Sequence, residues 1–439
     1  MKRYDTYKDS GERFAGKVPE NWDRYRIKYL LSRSAAGVWG DDEKGDANDI
    51  VCFRIADFDY AHGGLKYDNL TLRNIEQSQR NGRMLSNGDL LIEKSGGGDA
   101  TPVGRVVRFS FDEQAVCSNF IHSISVRNDF SNNFLYYYFY SLYANKENLL
   151  YFNQTTGIQN LKVGEYLGQS IYLPPLAEQE AIAAWLDVKC GEIDKLIATQ
   201  QRRIELLQEL RQSIITRAVT HGINPDAPMR PSGIDWIGDI PAHWEIGRMK
   251  FTGKFDNGLT YSPNDVVDDE NGFLVLRSTN IQDNKLDFDD CVYVNSTPEE
   301  LLVKNGDIII CSRNGSANLV GKCAIVDKDI EQMTFGAFMM RYRPYINSKY
   351  AFYMFQSATS YYKGLFSTTT INQLTKGIVS IMKAVVPPIA EQQEIVDYIE
   401  RETAKVDAAI GKAERQIALL QELRQSVITE VVTGKRKVC

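Results

Sequence analysis

LPPLAEQEAI (173–182) and LLQELRQSIIT (206–216) occur a second time in this chain, as VPPIAEQQEI (386–395) and LLQELRQSVIT (419–429). The complete stretch 173–220 aligns with 386–433 without a gap, at a constant offset and at roughly 45% identity. An ungapped internal repeat of this length indicates that the chain is built from two copies of one structural plan.

Each repeat predicts one long helix. After its Pro-Pro pair, each copy continues without proline to Gly222 or Gly434, and apolar residues recur at alternating steps of four and three. This spacing is typical of a coiled-coil seam. A helix from Glu178 to Thr220 would be about 65 Å long at 1.5 Å per residue. The residues predicted to pair the helices are Ile197, Ile204, Leu207, Leu210, Ile410, Ile417, Leu420 and Leu423, with Leu206, Leu210, Leu419 and Leu423 widening the stripe.

Two arrangements of these helices are possible from the sequence. Each helix could pack only on its own domain, or the two copies could pair with each other. We expect antiparallel pairing, which would relate the two halves by a pseudo-two-fold axis and hold the regions between the helices apart. Gln200, Arg211 and Arg424 fall on the seam, and polar layers of this kind fix register and partner choice.

A weaker repeat precedes each helix. SGERFAGKVPENW (10–22) is similar to SGIDWIGDIPAHW (232–244), and NGDLLIEKS (87–95) is similar to NGDIIICSR (305–313). TTGIQNL (155–161) matches TTTINQL (368–374) in the same order along the chain. The segment HGINPDAPMRPSG (221–233), rich in proline and glycine, is typical of a linker. The expected order is variable region 1–172, helical region 173–222, linker and variable region 223–385, and helical region 386–439.

The variable regions are predicted to have a mixed α+β fold. Short β-branched runs such as GDIIICS (306–312) are bounded by Asn, Asp and Gly, which indicates strands and hairpins. The aromatic stretches 134–143 and 349–358 indicate helices that cover a sheet, with their rings in the core.

Polar residues at predicted strand ends and loops could contact nucleic-acid bases. Arginine pairs with guanine, and asparagine or glutamine with adenine, through two hydrogen bonds. Each such side chain taken alone is more often an exposed loop residue bound to water, but these occur at matching places in both halves. The candidates are Arg54, Lys94, Ser95, Thr156, Gln159 and Asn160 in the first half, and Arg277, Ser312, Arg313, Asn314, Thr369, Asn372 and Gln373 in the second.

Composition limits the class of protein. The net charge of −6 is unusual for a protein that binds DNA alone, because duplex affinity comes from Lys and Arg that displace counterions. The seven cysteines are scattered and form no CxxC pair, which argues against disulfides and zinc. No apolar run approaches the roughly 20 residues of a membrane span, and the first residues lack a signal-peptide pattern. A cytoplasmic protein without a membrane partner is expected.

No catalytic motif is found in the sequence. SANLVGKC (316–323) is close to a phosphate-binding loop, but Ser316 and Cys323 replace the glycine and the Ser/Thr that the motif needs. The four histidines are not placed at metal-ligand spacing. We therefore expect a non-catalytic chain that has no cofactor of its own.

The helical motifs and the segments VPENW (18–22) and IPAHW (240–244) resemble the specificity subunits of Type I restriction–modification systems, over essentially the whole chain. The resemblance implies two target recognition domains, each reading part of a bipartite, asymmetric site on double-stranded DNA. It also implies that two methyltransferase (modification) subunits dock on the helices, with restriction/translocase subunits outside them. S-adenosylmethionine and ATP/Mg would then be bound by the partners, which would also supply basic surface.

Three alternatives remain at this point. The chain could be a helical scaffold that binds only proteins, an orphan DNA-binding subunit without a restriction partner, or an enzyme with an unrecognised site.

Overall fold

The computed structural model of the chain describes residues 3–98, 100–155, 157–268, 271–328, 330–362 and 372–438. The chain divides into two compact units. Unit 1 comprises Met1–Gln201 with Glu414–Cys439, and unit 2 comprises Arg202–Ala413. Both long helices therefore contribute residues to both units. The α-helices are α1 Gln77–Arg80, α2 Asn132–Ala144, α3 Val163–Tyr166, α4 Leu176–His221, α5 Ser348–Tyr362, α6 Lys376–Ile381 and α7 Ile389–Val432.

Unit 1 contains an antiparallel four-stranded sheet of order β12-β10-β14-β4 and a second sheet of order β13-β6-β9-β5, in which β13 and β6 are parallel. Smaller sheets are β11-β16-β15, β17-β3, β1-β2 and β7-β8. The strands are β1 Tyr7–Asp9, β2 Lys17–Pro19, β3 Asp23–Arg26, β4 Leu31–Ala36, β5 Asp41–Asp42, β6 Asp49–Phe53, β7 Phe58–Asp59, β8 Gly64–Leu65, β9 Leu72–Asn74, β10 Leu90–Glu93, β11 Ser95–Gly96, β12 Val106–Arg108, β13 Ala115–Cys117, β14 Ile121–Val126, β15 Phe152–Thr155, β16 Ile158–Leu161 and β17 Ser170–Leu173.

Unit 2 has the same plan. Its antiparallel sheet has the order β21-β31-β27-β29, and its second sheet has the order β22-β26-β23-β30 with β23 and β30 parallel. Smaller sheets are β20-β33, β28-β32, β18-β19 and β24-β25. The strands are β18 Met229–Pro231, β19 Asp239–Pro241, β20 Glu245–Arg248, β21 Gly253–Asn257, β22 Val266–Val267, β23 Phe273–Leu276, β24 Ile281–Gln282, β25 Lys285–Leu286, β26 Tyr293–Val294, β27 Ile308–Cys311, β28 Arg313–Asn314, β29 Cys323–Ile325, β30 Met333–Phe335, β31 Met339–Pro344, β32 Asn372–Gln373 and β33 Lys383–Val386.

The prediction of a mixed α+β fold in both halves is confirmed. In each unit one aromatic helix, α2 or α5, has most of its aromatic residues buried, so the aromatic stretches form core as expected. The main core of unit 1 joins α2 to the start of α4 and the end of α7, and that of unit 2 joins α5 to the end of α4 and the start of α7. Burial of this apolar surface is the main term that stabilises each unit.

The two long helices run antiparallel. In unit 2, Arg211 Nε on α4 lies 2.9 Å from Asp407 Oδ1 on α7. Gly222, which follows the end of α4, lies beside Glu391 at the start of α7. In unit 1, Arg424 Nε on α7 lies 3.1 Å from Asp194 Oδ1 on α4. The predicted pairing of the two copies is therefore confirmed.

The same ion pair is present twice with its partners exchanged. Arg211 and Arg424 are equivalent positions of the repeat, and so are Asp194 and Asp407. An antiparallel pair of identical helices requires this exchange, because each helix presents its arginine to the other copy's aspartate. The polar layers predicted at Arg211 and Arg424 are thus ion pairs, each between the arginine of one helix and the aspartate of the other.

The seam itself is narrower than predicted. Six of the predicted pairing residues are half-buried along α4 and α7, namely Ile197, Ile204, Leu207, Ile410, Ile417 and Leu420. In contrast, Leu210 is 48% exposed and Leu423 is 46% exposed, and Leu206 and Leu419 are exposed as well. The prediction that these four leucines widen the buried stripe is wrong. They form instead two equivalent apolar patches on the helix surface.

This difference can be measured with matched substitutions. Ile215 and Ile428 are equivalent in the repeat and completely buried. We expect Ile215→Ala or Ile428→Ala to lower the free energy of unfolding by about 2–5 kcal/mol. Leu210→Ala or Leu423→Ala should change it by about 0.5 kcal/mol or less. Denaturant titration of the full chain measures both. An equal loss in the leucine variants would put the leucines in the seam after all.

In the part of the chain that the structure describes, no helix combines the length and the apolar character that crossing a bilayer needs.

Candidate functional site

In unit 1 the structure brings together two of the segments predicted to carry polar contact residues. Strand β11 pairs with β16, so that Ser95 faces Asn160 and Gly96 faces Gln159. Ser95 Oγ donates a hydrogen bond to Asn160 Oδ1 at 2.7 Å. The Leu161 amide also donates to the Lys94 carbonyl at 2.7 Å. Residues that are more than sixty positions apart in the sequence therefore share one small sheet.

Unit 2 builds the same strand pair from different residues. Strand β28 pairs with β32, so that Arg313 faces Gln373 and Asn314 faces Asn372. The Leu374 amide donates to the Ser312 carbonyl at 2.8 Å, which corresponds to the bond between Leu161 and Lys94 in unit 1. We call β11 with β16, and β28 with β32, the polar strand pairs. Each unit thus presents the same backbone frame with different side chains.

The predicted residues differ in how accessible they are. Asn160 is exposed, and Lys94, Arg313, Asn314 and Gln373 are half-buried. These five side chains can reach a ligand that lies against the polar strand pairs. Thr156 and Thr369, which were also predicted, lie outside the described residues, as does the side chain of Asn372.

Three predicted contact residues support the frame instead. Gln159 is only 2% exposed, and its Oε1 accepts a hydrogen bond from the Val103 amide at 3.2 Å. Ser95 and Ser312 are buried, and Ser312 Oγ donates to the Phe338 carbonyl at 2.9 Å. Because their polar atoms are already paired inside the protein, the structure corrects their assignment as contact residues.

Arg54 and Arg277 occupy equivalent places, as predicted. Each precedes a short 3-10 helix, and its amide donates to the side chain three residues later, Asp57 or Asn280. Arg54 Nη2 lies 3.0 Å from Asp57 Oδ1, and Arg277 Nη2 lies 2.8 Å from Asp290 Oδ2. Both guanidinium groups are about one third exposed, at 39% and 31%. They are held in place by acids and retain an open side.

A concave surface lies beside the polar strand pair of unit 2. Its volume is about 740 Å³, and its lining is mostly apolar but includes Arg277 and Ser278. Asn314 Nδ2 donates to Ser278 Oγ at 3.4 Å, which places this cavity next to the polar strand pair. The cavity is of the size that accepts a small organic group.

His122 on β14 lies near the polar strand pair of unit 1. Burial, together with the positive charges of Lys94 and Arg33, lowers the pKa of His122 to about 4. His122 is therefore neutral at pH 7 and bonds to Ser34 Oγ at 2.8 Å.

The described residues hold no group of three His, Cys, Asp or Glu side chains that could bind a metal ion. Burial raises the pKa of Cys52 and Cys117 to about 12, so these thiols stay protonated and unreactive. The polar strand pairs therefore present hydrogen-bond donors and acceptors on the same backbone arrangement in both units.

Sequence reasoning missed one residue in each unit. Phe120 and Phe338 are exposed, and each follows a parallel strand and lies beside a polar strand pair. Extending the alignment of NGD (87–89) with NGD (305–307) at constant offset brings these two phenylalanines to the same position. That alignment could have identified them.

Comparison with known proteins assigns the chain to a family. The family model described as "Type I restriction modification DNA specificity domain" matches residues 40–208 and again residues 241–416. The two matches cover well over half of the chain, one in each half. This protein therefore belongs to the family of Type I restriction modification DNA specificity domains, and the resemblance noted in the helical motifs is confirmed.

Two relatives illustrate the range of similarity. The MjaVIII specificity subunit of Methanocaldococcus jannaschii is 22% identical over 442 residues, which span 96% of this chain and 94% of that protein. The EcoKI specificity subunit of Escherichia coli K12 is 25% identical over 313 residues, which span 67% of this chain. The matched stretch covers 63% of the EcoKI subunit, less than two thirds of its length.

A solved structure has the same fold. The chain superimposes with a TM-score of 0.69 and 17% identity on one from work on complex assembly and conformational transition of the type I R-M system. The superposition covers 94% of this chain and 98% of the other.

Proposed function

We propose that this chain is the DNA-recognition subunit of a Type I restriction–modification complex, in which each unit reads one part of a bipartite target. The observation that carries the proposal is the duplicated polar strand pair, equal in backbone register and different in side chains. Equal frames position two readers alike, while different side chains select different bases.

The accessible side chains suggest how bases are read. Arg313 is suited to guanine and Gln373 to adenine, because each can form two hydrogen bonds with the base edge in the major groove. Asn160 and Asn314 are suited to donate from Nδ2 to a base acceptor, since their Oδ1 atoms accept from Ser95 Oγ and the Ser316 amide. Lys94 is suited to phosphate, which positions the protein without reading sequence. Since the two units carry different sets, the two half-sites differ in sequence and the target is asymmetric.

The partners are two methyltransferase subunits and the restriction/translocase subunits. The exposed leucine pairs Leu206–Leu210 and Leu419–Leu423 are equivalent apolar patches, and two equal patches suit two copies of one partner. A net charge of −6 favours a shared DNA interface, in which partners supply part of the phosphate contact.

Catalysis and cofactors belong to the partners in this proposal. S-adenosylmethionine would bind to the methyltransferase subunits and ATP/Mg to the restriction subunits, while this chain binds none of them. The complex would act in the cytoplasm, where it meets the cell's DNA.

The proposal is tested by mapping N6-methyladenine across the genome of the source organism with and without this gene. We expect one split, asymmetric motif to lose its methylation in the deletion strain and to regain it when the gene is restored. Methylation that does not depend on the gene, or an unbroken palindromic motif, would overturn the proposal. The purified chain alone methylating or cutting DNA would favour an enzyme instead.

The remaining alternatives are separated in the deletion strain after a tagged copy of the gene has been restored to it. Affinity purification of the tagged chain should recover methyltransferase and restriction subunits. Recovery of the methyltransferase alone would identify an orphan subunit without a restriction partner. A scaffold that binds only proteins would show no gene-dependent methylation.

A further inference from the structure

Phe120 and Phe338 are equivalent aromatic residues whose rings face solvent, 44% and 60% exposed. The sequences around them, CSNFIHS (117–123) and FGAFMMR (335–341), agree at little besides this phenylalanine. Exposed rings are common on protein surfaces when they occur singly. An exposed ring that is present at the same position in two diverged units indicates that it has the same role in both.

Each phenylalanine is fixed by its backbone to a polar strand pair. The Phe120 carbonyl accepts hydrogen bonds from the amides of Lys94 at 2.8 Å and Ser95 at 3.1 Å. The Phe338 carbonyl accepts them from the amides of Ser312 at 2.9 Å and Arg313 at 3.1 Å. The ring therefore keeps a set position relative to the side chains that contact bases in the proposed function.

The loop that carries each phenylalanine, residues 118–120 in unit 1 and 336–338 in unit 2, is called the phenylalanine loop, and a glycine contacts it from its other side. A Cβ atom at Gly37 would lie 2.1 Å from the Ser118 carbonyl oxygen, and one at Gly258 would lie 2.1 Å from that of Gly336. Only glycine permits this approach of two backbones. Next to these glycines the amide of Val38 or Leu259 donates to the residue before the loop at 2.8 Å or 2.7 Å. Both units thus hold the phenylalanine loop on a preorganised backbone.

A cation accompanies the Phe338 ring. The Arg313 guanidinium lies 5.6 Å from the centre of the Phe338 ring, within the range of a cation–π contact. In unit 1 the Lys94 backbone amide, rather than its ammonium group, is what bonds to Phe120, through the Phe120 carbonyl. A protruding apolar ring beside a cation suits a nucleic acid, which presents apolar base faces next to phosphates.

We propose that Phe120 and Phe338 are wedge residues, each of which inserts its ring against a base step of its half-site and partly unstacks it. The inference rests on the proposed function, because it needs the polar strand pairs to face DNA. Insertion of an apolar side chain opens a base step and bends the duplex, which brings more of the protein into contact. A rigid loop suits this role, because a mobile loop would lose conformational entropy on binding and the binding free energy would be weaker.

The test uses the full-length chain with a duplex that carries its mapped target. 2-Aminopurine replaces one base at a time through both half-sites, and its fluorescence rises when the base is unstacked. With the unaltered chain we expect a rise of several-fold at one step in each half-site. Phe338→Ala should abolish it in one half-site and Phe120→Ala in the other, each weakening binding by roughly tenfold. Phe338→Trp should restore the signal.

Phe251→Ala is the matched control. Phe251 is 69% exposed and belongs to the same unit, but it precedes β21, whereas the phenylalanine loop contacts Gly258 at the end of that strand. This variant should bind and unstack as the unaltered chain does. Thermal melting checks that all variants remain folded.

Three outcomes would overturn the inference. Weaker binding with an unchanged fluorescence signal would mean that the rings touch DNA without insertion. Unchanged binding and unchanged fluorescence in both alanine variants would remove the rings from the interface, while specific binding by the unaltered chain would still uphold the proposed function. If the unaltered chain does not bind the duplex that carries the mapped target, either alone or together with its partners, both proposals fail together.

Discussion

Replacing residues 1–172 with the corresponding region of a relative that reads another target is expected to change one half of the methylated motif and leave the other half unchanged. Methylation at the original sites should fall to background, and a new motif should appear that shares one half-site with the old one. Base reading is local to the side chains that touch base edges, and in unit 1 both strands of the polar strand pair lie within the exchanged region. Sequencing of N6-methyladenine measures the result.

The exchange succeeds only if the graft fits the helices that it packs on. Tyr137 OH donates to Asp187 Oδ1 at 2.7 Å, and Ser141 Oγ donates to Thr429 Oγ1 at 2.9 Å. Unit 2 repeats the second contact between Ser357 and Thr216 at 3.3 Å. A graft that keeps these polar residues on its aromatic helix should therefore fold on the resident helices.

The mirror-image exchange is the control for this prediction. Replacing residues 223–385 should alter the half-site that the first exchange preserves. If either exchange changes both half-sites, or neither, the two units are not independent readers.

Arg341→Ala is expected to destabilise unit 2 by about 3–5 kcal/mol, the largest effect that we predict for a single substitution. The Arg341 side chain is completely buried, and its Nη2 lies 2.6 Å from Asp256 Oδ2. It also donates to the carbonyls of Leu302 and Glu300, both at 2.8 Å. Alanine would remove these hydrogen bonds, leave the Glu300 carbonyl without its arginine donor and open a cavity in the sheet. Lys254 would still contact Asp256, and Arg343 the Leu302 carbonyl. A fall in melting temperature of about 10 °C is expected.

The loss should depend on pH. Burial alone would raise the pKa of Asp256, but hydrogen bonds from Arg341 and Lys254 hold it below its usual value. A carboxyl whose folded pKa is lowered stabilises the fold above its unfolded pKa, and this contribution disappears as the pH falls through the folded pKa. The difference between the variant and the unaltered chain should therefore shrink below about pH 4.

Arg248→Ala provides the comparison, because Arg248 is an exposed arginine of the same unit. Its loss should be within about 0.5 kcal/mol. An Arg341→Ala variant that unfolds within 1 kcal/mol of the Arg248→Ala variant would show that the buried ion pair contributes little to unit 2.

The two-unit architecture of this protein could be predicted from sequence because the chain contains an internal repeat. Apolar spacing identified α4 and α7, and their ungapped repeat indicated that they pair with each other. The arginines on the seam already marked its polar layers. Their aspartate partners, Asp194 and Asp407, became evident only in the structure, since the antiparallel register decides which residues face each other.

The accessible faces could not be predicted. A flanking leucine such as Leu210 looks the same in a helical pattern whether or not a third element covers it. In β16 the short alternation is reversed, since the apolar Ile158 is 48% exposed while Gln159 is buried. Four residues carry too weak a period to show which side faces inward, and tertiary packing overrides it. Single aromatics in diverged regions, such as Phe120, are ordinarily core residues and were not singled out for that reason.

The order of synthesis gives the division of the chain a consequence for folding. Unit 2 is one continuous stretch, whereas unit 1 needs both the first 201 residues and Glu414–Cys439. Val427, Ile428, Val431 and Val432 belong to the main core of unit 1. During synthesis on the ribosome, unit 1 therefore lacks part of its core until the end of α7 has been translated. Its exposure to chaperones and proteases is set by the time needed to translate everything in between.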